Sequence, residues 1–425
     1  MGLEPPHFKA NGYAQYIALS GGVSPYFWRE YKIPMIDMLS QEQEEIKMLV
    51  LEFKAYAKPD QFQAVDEAIR ICQFIRNKSI RVWMDGGAKS WFELSKYCAI
   101  WASEFDFANK LGAMARQASA ERAWASISRF YDNIKKGIKG KRAGFPKFQK
   151  DCRSVEYKTN SWKLAEDRKS ITFTDKCGIG RLKLKGTRDL NFYQPDQIKR
   201  VRLVKRADGY YVQLCIQVDR LETTPMTGKT IGLDVGLKEF YTDSNGEIAP
   251  NPRFLRRGEA RLKRAQLLVS RKVKGGLNRR KARVILGNRH LKISRQRKDH
   301  AIKLARCVIT SNDVVVYEDL RVSNLVKNHC LAKSISDASW YQFRVFLEYF
   351  GKVFGRITIA VNPAYTSQEC SNCGEVVKKS LSTRTHICQC GCEMDRDRNA
   401  AINILNRGIG TTGHVGTSVL DTVNA

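Results

Sequence analysis

Apolar and polar residues alternate with a period of two through residues 154–219. SVEYKT, SITFT, GRLKLKG, KRVRLVKR and YYVQLCIQV each carry that alternation, and turn residues separate them, Asp208-Gly209 giving the clearest hairpin signal. The pattern predicts a small β-barrel. MLVLEFKAY, starting at Met48, also reads as a strand, but helical spacing follows it. Pro59-Asp60 marks a helix start, and Phe62, Val65, Ala68, Ile69, Cys72 and Ile75 fall on one face. A further helix is expected over 118–136, where Ala120, Trp124, Ile127, Tyr131 and Ile134 recur at the same spacing. Residues 61–150 therefore read as a helical unit that ends in the basic stretch KKGIKGKRAGFPKFQK. The strand near Met48 has no partner within that unit, so it is expected to join the barrel and leave the helices as an insertion.

Beyond Thr230 the pattern changes again. IGLDVGLKEFYTDSNGE predicts a hairpin closed at Asn245-Gly246, VVVYEDL a buried strand, the run with Trp340, Phe343, Leu347 and Phe350 a helix, RITIAV a strand, and 395–405 a final helix. A hairpin, a strand and a late helix, each with an acid, follow the order of an RNase H-like core. The fold class expected is α+β and multidomain: a barrel from 48–60 and 151–229, a helical insertion at 61–150, and a nuclease-like domain from 230–365 and 393–409. Residues 1–47 are weakly patterned and read as a dispensable extension, and 410–425 as a tail.

Charge narrows the partners. Lys and Arg number 73 against 43 Asp and Glu, a formal net charge of +30, which calls for a polyanion. Between 253 and 306 there are twenty cations and two acids, Glu259 and Asp299, on what read as two helices joined around Lys274-Gly275-Gly276. Such an excess repels itself unless phosphates neutralise it. Arg279, Arg280, Lys281, Arg283, Arg295, Arg297 and Lys298 are the candidate nucleic-acid contacts. His290 and His300 lie in the same helices and read as phosphate-facing or exposed. No apolar run approaches a membrane span and the first residues lack a secretory pattern, so a cytoplasmic, nucleoid-associated protein is expected.

The chemistry rests on three acids spread over about 160 residues: Asp234 in IGLDVG, Glu318 in VVVYEDL and Asp397 in MDRDRNAAINIL. A carboxylate beside a buried strand is costly unless its charge is compensated, and a divalent cation is the usual compensation. Delivered to one pocket, the three acids make a site for two-metal phosphodiester cleavage, with Asp234 bridging two Mg²⁺ ions; all-carboxylate donors favour magnesium over zinc. Asp395 and Asp397 are two residues apart at a helix start and cannot both face the metals, so Asp395 suits the N-cap.

Five of the twelve cysteines crowd into 370–392. Cys370-Ser-Asn-Cys373-Gly is a knuckle, and Cys388-Gln-Cys390-Gly-Cys392 begins fifteen residues after it. Two such halves are the signature of a four-cysteine structural zinc site over 366–392, held by Cys370, Cys373, Cys388 and one of Cys390 or Cys392. The other seven cysteines read as reduced core residues.

DVG around Asp234, YEDL around Glu318, NPAYTSQECSNCG and DRDRNAAINIL together resemble the TnpB (OrfB) proteins of bacterial insertion sequences, relatives of the compact type V CRISPR effectors. The resemblance runs from Met48 to about Gly410. It implies a wedge-type barrel with an inserted helical recognition unit, and a RuvC nuclease domain interrupted by a zinc ribbon. It also implies an RNA-guided DNA endonuclease, with a guide RNA from the transposon end, a double-stranded DNA target, and a functional link to a tyrosine transposase. The register of DxNAA puts Asp397 in the site. Two other readings stand beside this one. A non-cleaving RNA-guided regulator would be expected to have lost an acid, and none is lost; a strand-transfer transposase is the label such genes often carry.

Overall fold

The computed structural model describes residues 48–413 apart from 219, 223, 381 and 382. The extension at 1–47 and the end of the expected tail, 414–425, lie outside the described residues. The described residues divide into two compact units, 48–220 and 221–413. Among the described residues no helix is long and apolar enough to cross a membrane.

The first unit opens with β1 (Met48–Tyr56), followed by α1 (Pro59–Met84), α2 (Trp91–Glu104), the short α3 (Asp106–Asn109) and α4 (Ala113–Lys135). Pro59 at the first turn of α1 suits a helix start, because its missing N–H has no partner there anyway. The apolar face read from sequence is the buried one: Val65, Ala68, Ile69, Cys72 and Ile75 all point inward. Six strands follow: β2 (Ser154–Lys158), β3 (Trp162–Leu164), β4 (Ser170–Phe173), β5 (Gly180–Lys185), β6 (Ile198–Arg206) and β7 (Gly209–Gln217). With β1 they form one seven-stranded antiparallel sheet in the order β2-β6-β7-β1-β5-β4-β3. The N-terminal strand lies inside the sheet, pairing with β7 on one side and β5 on the other. Alternate residues such as Val201, Leu203, Val212 and Leu214 turn inward and share a core with α1. Glu156, 2% exposed, is buried with Arg200 and Arg202 as its partners.

The second unit contains β8 (Thr230–Val235), β9 (Glu239–Asp243), β10 (Ile248–Pro250), α5 (Glu259–Ser270), α6 (Leu277–Ser311), β11 (Val314–Glu318), α7 (Val322–Leu325), α8 (Ala332–Ala338), α9 (Trp340–Phe354), β12 (Ile357–Val361), β13 (Thr385–Ile387), β14 (Glu393–Asp395) and α10 (Arg396–Gly413). Its main sheet has the order β10-β9-β8-β11-β12, the first three antiparallel, with β11 parallel to both β8 and β12. The turn at Asn245-Gly246 leads into the extra strand β10. Helix α10 lies on this sheet at very short range. A Cβ on Gly232 would overlap the Ala401 carbonyl, and one on Gly408 would overlap the Val316 side chain. Two glycines, one on the sheet and one on the helix, therefore set how closely α10 approaches.

Candidate active site

Strands β8 and β11 run parallel, with Leu233 opposite Tyr317. The next residue on each strand is an acid, so Asp234 and Glu318 stand side by side where the two strands end. Asp397 lies in the first turn of α10, the helix seated on β8. Both strand-end acids are half-buried, as is Asp397. Burial pushes the Asp234 carboxyl well above the usual carboxylate range, and the neighbouring Glu318 and Asp397 charges push it further, while Arg396 opposes them. Glu318 is also raised by burial, though the Thr366 hydroxyl, which donates to its Oε1 at 2.6 Å, and the more distant Arg407 act the other way. The Asp234 carboxylate accepts no hydrogen bond and makes no salt bridge among the described residues. A half-buried carboxylate held among other carboxylates without a donor is the environment a divalent cation compensates, and its hard oxygen atoms fit magnesium.

Asp397 is held differently. Its Oδ1 accepts from Arg396 Nε and Nη2 at 3.1 and 3.0 Å, and Arg384 lies 3.5 Å from the other oxygen. Asp395 caps the helix, its Oδ1 accepting from the N–H groups of Asp397 and Arg398 at 2.8 and 3.2 Å. Sequence reasoning missed Thr366, Arg384 and Arg396 around these acids. It also missed Asn399 and Asn403, both buried, whose amides donate to the Glu369 carbonyl at 2.7 Å each. Asn399 further accepts from Ser371 N–H at 3.0 Å, and Asn403 donates to the Thr366 carbonyl at 2.9 Å. Two amides four residues apart on α10 thus tie the helix to the segment that carries the cysteines. The signal was legible in NAAIN: two asparagines at i, i+4 within an apolar helix are costly unless bonded.

The sulfur atoms of Cys370, Cys373, Cys388 and Cys390 all lie within 4.8 Å of one another. Cys370 and Cys390 are 3.7 Å apart and Cys373 and Cys388 are 3.6 Å apart. A thiolate tetrahedron with metal–sulfur bonds of about 2.3 Å has edges of about 3.8 Å, so the donor set fits a zinc-sized ion. Of the two alternatives left open by the sequence, Cys390 joins the other three, whereas Cys392 groups with Cys370 and the buried His386. Tight turns prepare the knuckles: Gly374 N–H donates to the Cys370 carbonyl at 2.8 Å, and Gly391 N–H to that of Cys388 at 3.0 Å.

The basic helices need two corrections. Arg297, expected to face nucleic acid, is 5% exposed and bonds Asp337 at 3.0 and 2.9 Å, because Asp337 must satisfy the buried N–H of Leu255 and needs a counter-charge. His300, expected to be exposed or phosphate-facing, packs edge-on against Phe240 and Phe254 at 5.1 and 5.8 Å, and burial lowers its pKa to about 4. Arg279 turns back to the ends of the preceding turns, donating to the Val269 and Lys272 carbonyls. Arg280, Lys281 and Arg283 are exposed, as is Arg295, while Lys298 is half-buried.

Two family models match: the OrfB model, described as "Probable transposase", over residues 213–329, and the "Cas12f1-like, TNB domain" over 340–404. A Streptomyces pristinaespiralis protein described as "Putative RNA-guided DNA endonuclease" is 41% identical over 206 residues, 48% of this chain and 51% of that protein. InsQ of Escherichia coli K12, which carries the same description, is 29% identical over 287 residues, 63% of this chain and 69% of its own. The chain thus spans about half the length of the first relative. A solved Cas12f1 chain, from its complex with single-guide RNA and target DNA, shares the fold with a TM-score of 0.52, at 14% identity and 83% coverage of both chains. The two models match the segments that carry DVG, YEDL, the cysteines and nearly all of DRDRNAAINIL, and over these segments the chain is similar to the TnpB (OrfB) proteins, as its motifs indicate.

Proposed function

We propose that this chain is an RNA-guided DNA endonuclease of the TnpB kind, which cuts double-stranded DNA by metal-dependent phosphodiester hydrolysis. One observation carries the reading: the half-buried Asp234 carboxylate, without a hydrogen-bond or salt-bridge partner among the described residues, is held beside Glu318 and close to Asp397. The sheet order of the second unit, a three-strand meander followed by two parallel strands, supports an RNase H-like, RuvC-type domain built from 230–365 and 393–409. The seven strands of the first unit support the wedge-like barrel of 48–60 and 151–229, with 61–150 as the helical recognition insertion. Residues 366–392 are the zinc ribbon, held by Cys370, Cys373, Cys388 and Cys390.

In this mechanism Asp234, Glu318 and Asp397 would hold two Mg²⁺ ions, which when bound would supply an activated water and charge stabilisation at the leaving oxygen. Burial keeps bulk water from screening Asp234 and Glu318. The Thr366 hydroxyl fixes the Glu318 carboxylate so that its other oxygen stays available, and Arg396 and Arg384 orient Asp397. Arg280, Lys281, Arg283, Arg295 and Lys298 remain the proposed phosphate contacts, with Arg279 in part committed to the protein. The guide RNA derives from the transposon end, a tyrosine transposase is the functional partner, and the bacterial nucleoid is the place of action.

The test is to purify the full chain, sequence the RNA that comes with it, and assay Mg²⁺-dependent cleavage of a DNA that matches the guide. A defined RNA and guided cleavage are expected. A bound RNA with no cleavage by the intact acids would leave a guided binder instead.

A further inference from the structure

Residues 136–150, which join α4 to β2, carry no part of the site described above. Residues 133–150 hold seven cations, Lys135, Lys136, Lys139, Lys141, Arg142, Lys147 and Lys150, and no acid. All seven are exposed, and none has an ion pair among the described residues. The segment is nevertheless pinned at several points. The Asn77 side chain from α1 makes a reciprocal pair with the backbone of Gln149, at 2.9 and 2.8 Å. Asn133 donates to the Ala143 carbonyl at 3.2 Å, and the Phe145 ring sits 5.5 Å from Trp83 and 5.2 Å from Phe130. Phe148, 46% exposed, lies between Lys147 and Lys150. Fixing like charges close together raises their mutual repulsion, and leaving a phenyl ring in water forgoes its burial. A merely solvated loop would relax both costs by moving.

We propose that this segment is a second nucleic-acid contact, which takes an unpaired RNA stretch with its phosphates along the cations and a base stacked on Phe148. Exposed aromatic rings among cations are the means by which single strands are held, and proteins that read RNA do so mostly at unpaired, stackable bases. The inference rests on the guided-nuclease reading and names where in the first unit the RNA is held.

The experiment titrates the full chain into a labelled, unstructured RNA oligonucleotide across a salt series, with a DNA oligonucleotide of the same sequence alongside. The triple variant Lys139→Gln, Lys141→Gln, Arg142→Gln should flatten the log–log salt slope for RNA by about 2, at about 0.7 per phosphate contact. Phe148→Ala should weaken RNA binding about tenfold at fixed salt, and Phe148→Trp should restore it. Melting curves matched to the parent exclude misfolding, and the exposed Lys and Arg sites of the triple variant keep the test open if Phe148→Ala folds poorly. Parent-like slope and affinity in both variants would overturn the proposal, as would a loss confined to DNA. A parent chain that binds no RNA at all would instead sink the guided-nuclease reading on which it rests.

Discussion

Asp313 and Glu318 border the same five-residue strand, Val314–Glu318, and the fold treats its two ends in opposite ways. At the first end Asp313, 3% exposed, accepts from the N–H groups of Thr227 and Gly228 and pairs with Arg356 at 2.7 Å. Burial works against its charge, but those donors and the guanidinium prevail and hold its pKa below the usual range. At the other end, among the described residues, the Glu318 carboxylate has one hydroxyl donor and that of its neighbour Asp234 has none, and burial raises the pKa of both. Satisfied acids build structure. Unsatisfied acids gathered at one strand end are suited to hold something that is not part of the chain, and that contrast within one sheet is a stronger pointer to the proposed site than any of the acids alone.

The largest expected effect separates the ends by function. Asp234→Asn should lower Mg²⁺-dependent cleavage by about three orders of magnitude or more while RNA binding persists, since in the proposed mechanism the acid would hold metal and not the nucleic-acid backbone. Cleavage and RNA retention measured on one preparation decide it, and joint loss of both would make Asp234 a structural acid like Asp313. Asp397→Ala should be equally inactive.

Next in size is the closed end. Arg356→Met leaves Asp313 buried without its cation and should cost about 3 kcal/mol or more of stability. Chemical denaturation would read that loss, and a near-neutral result would erase the difference between the two ends. Removing both Cys370 and Cys373 as serines should release the zinc without displacing the magnesium, because the two sites differ in donor chemistry; metal analysis that still finds stoichiometric zinc contradicts the ribbon assignment.

A smaller effect separates neighbouring acids. Asp395→Ala removes the N-cap of α10 and should cost about 1 kcal/mol in a melt, with cleavage retained. The reverse ranking of Asp395 and Asp397 in a cleavage assay would overturn their roles.

The finest test is pH. Without metal, the raised Asp234 value disfavours the folded state once the unfolded carboxyl ionises, so its contribution falls as pH rises from about 3.9 through the folded value. Asp313, with its lowered value, stabilises the fold above the unfolded value and loses that contribution as pH falls through its own. Asp234→Asn should therefore raise metal-free stability near neutral pH, and Arg356→Met should shrink the stability lost on acidification. Denaturation midpoints across pH would show these two opposite changes, and equal slopes in all three proteins would contradict the contrast.

Much of this was legible in the chain. Period-two stretches became β2 and β4 to β7, the face beginning at Phe62 became the buried side of α1, and the spacing of the cysteines indicated their convergence. The asymmetry between acids was not legible, because Asp234, Asp313 and Glu318 all sit beside apolar runs and differ only in which distant donors reach them. Arg297 shows the same limit from the cationic side: in sequence it is one of twenty, and only the packing of α8 against α6 assigns it to Asp337. The choice between Cys390 and Cys392 was equally open until the turn at Cys388 was built.

Sequence alone determined the local elements, the polyanion-seeking charge and the donor types, because these follow from side-chain chemistry and from periods of two and 3.6 residues. Tertiary structure decided which acids are neutralised, which cations remain exposed and which sulfurs converge. These depend on contacts between residues far apart in the chain, and the close seating of α10 over Gly232 is what brings Asp397 to the end of β8.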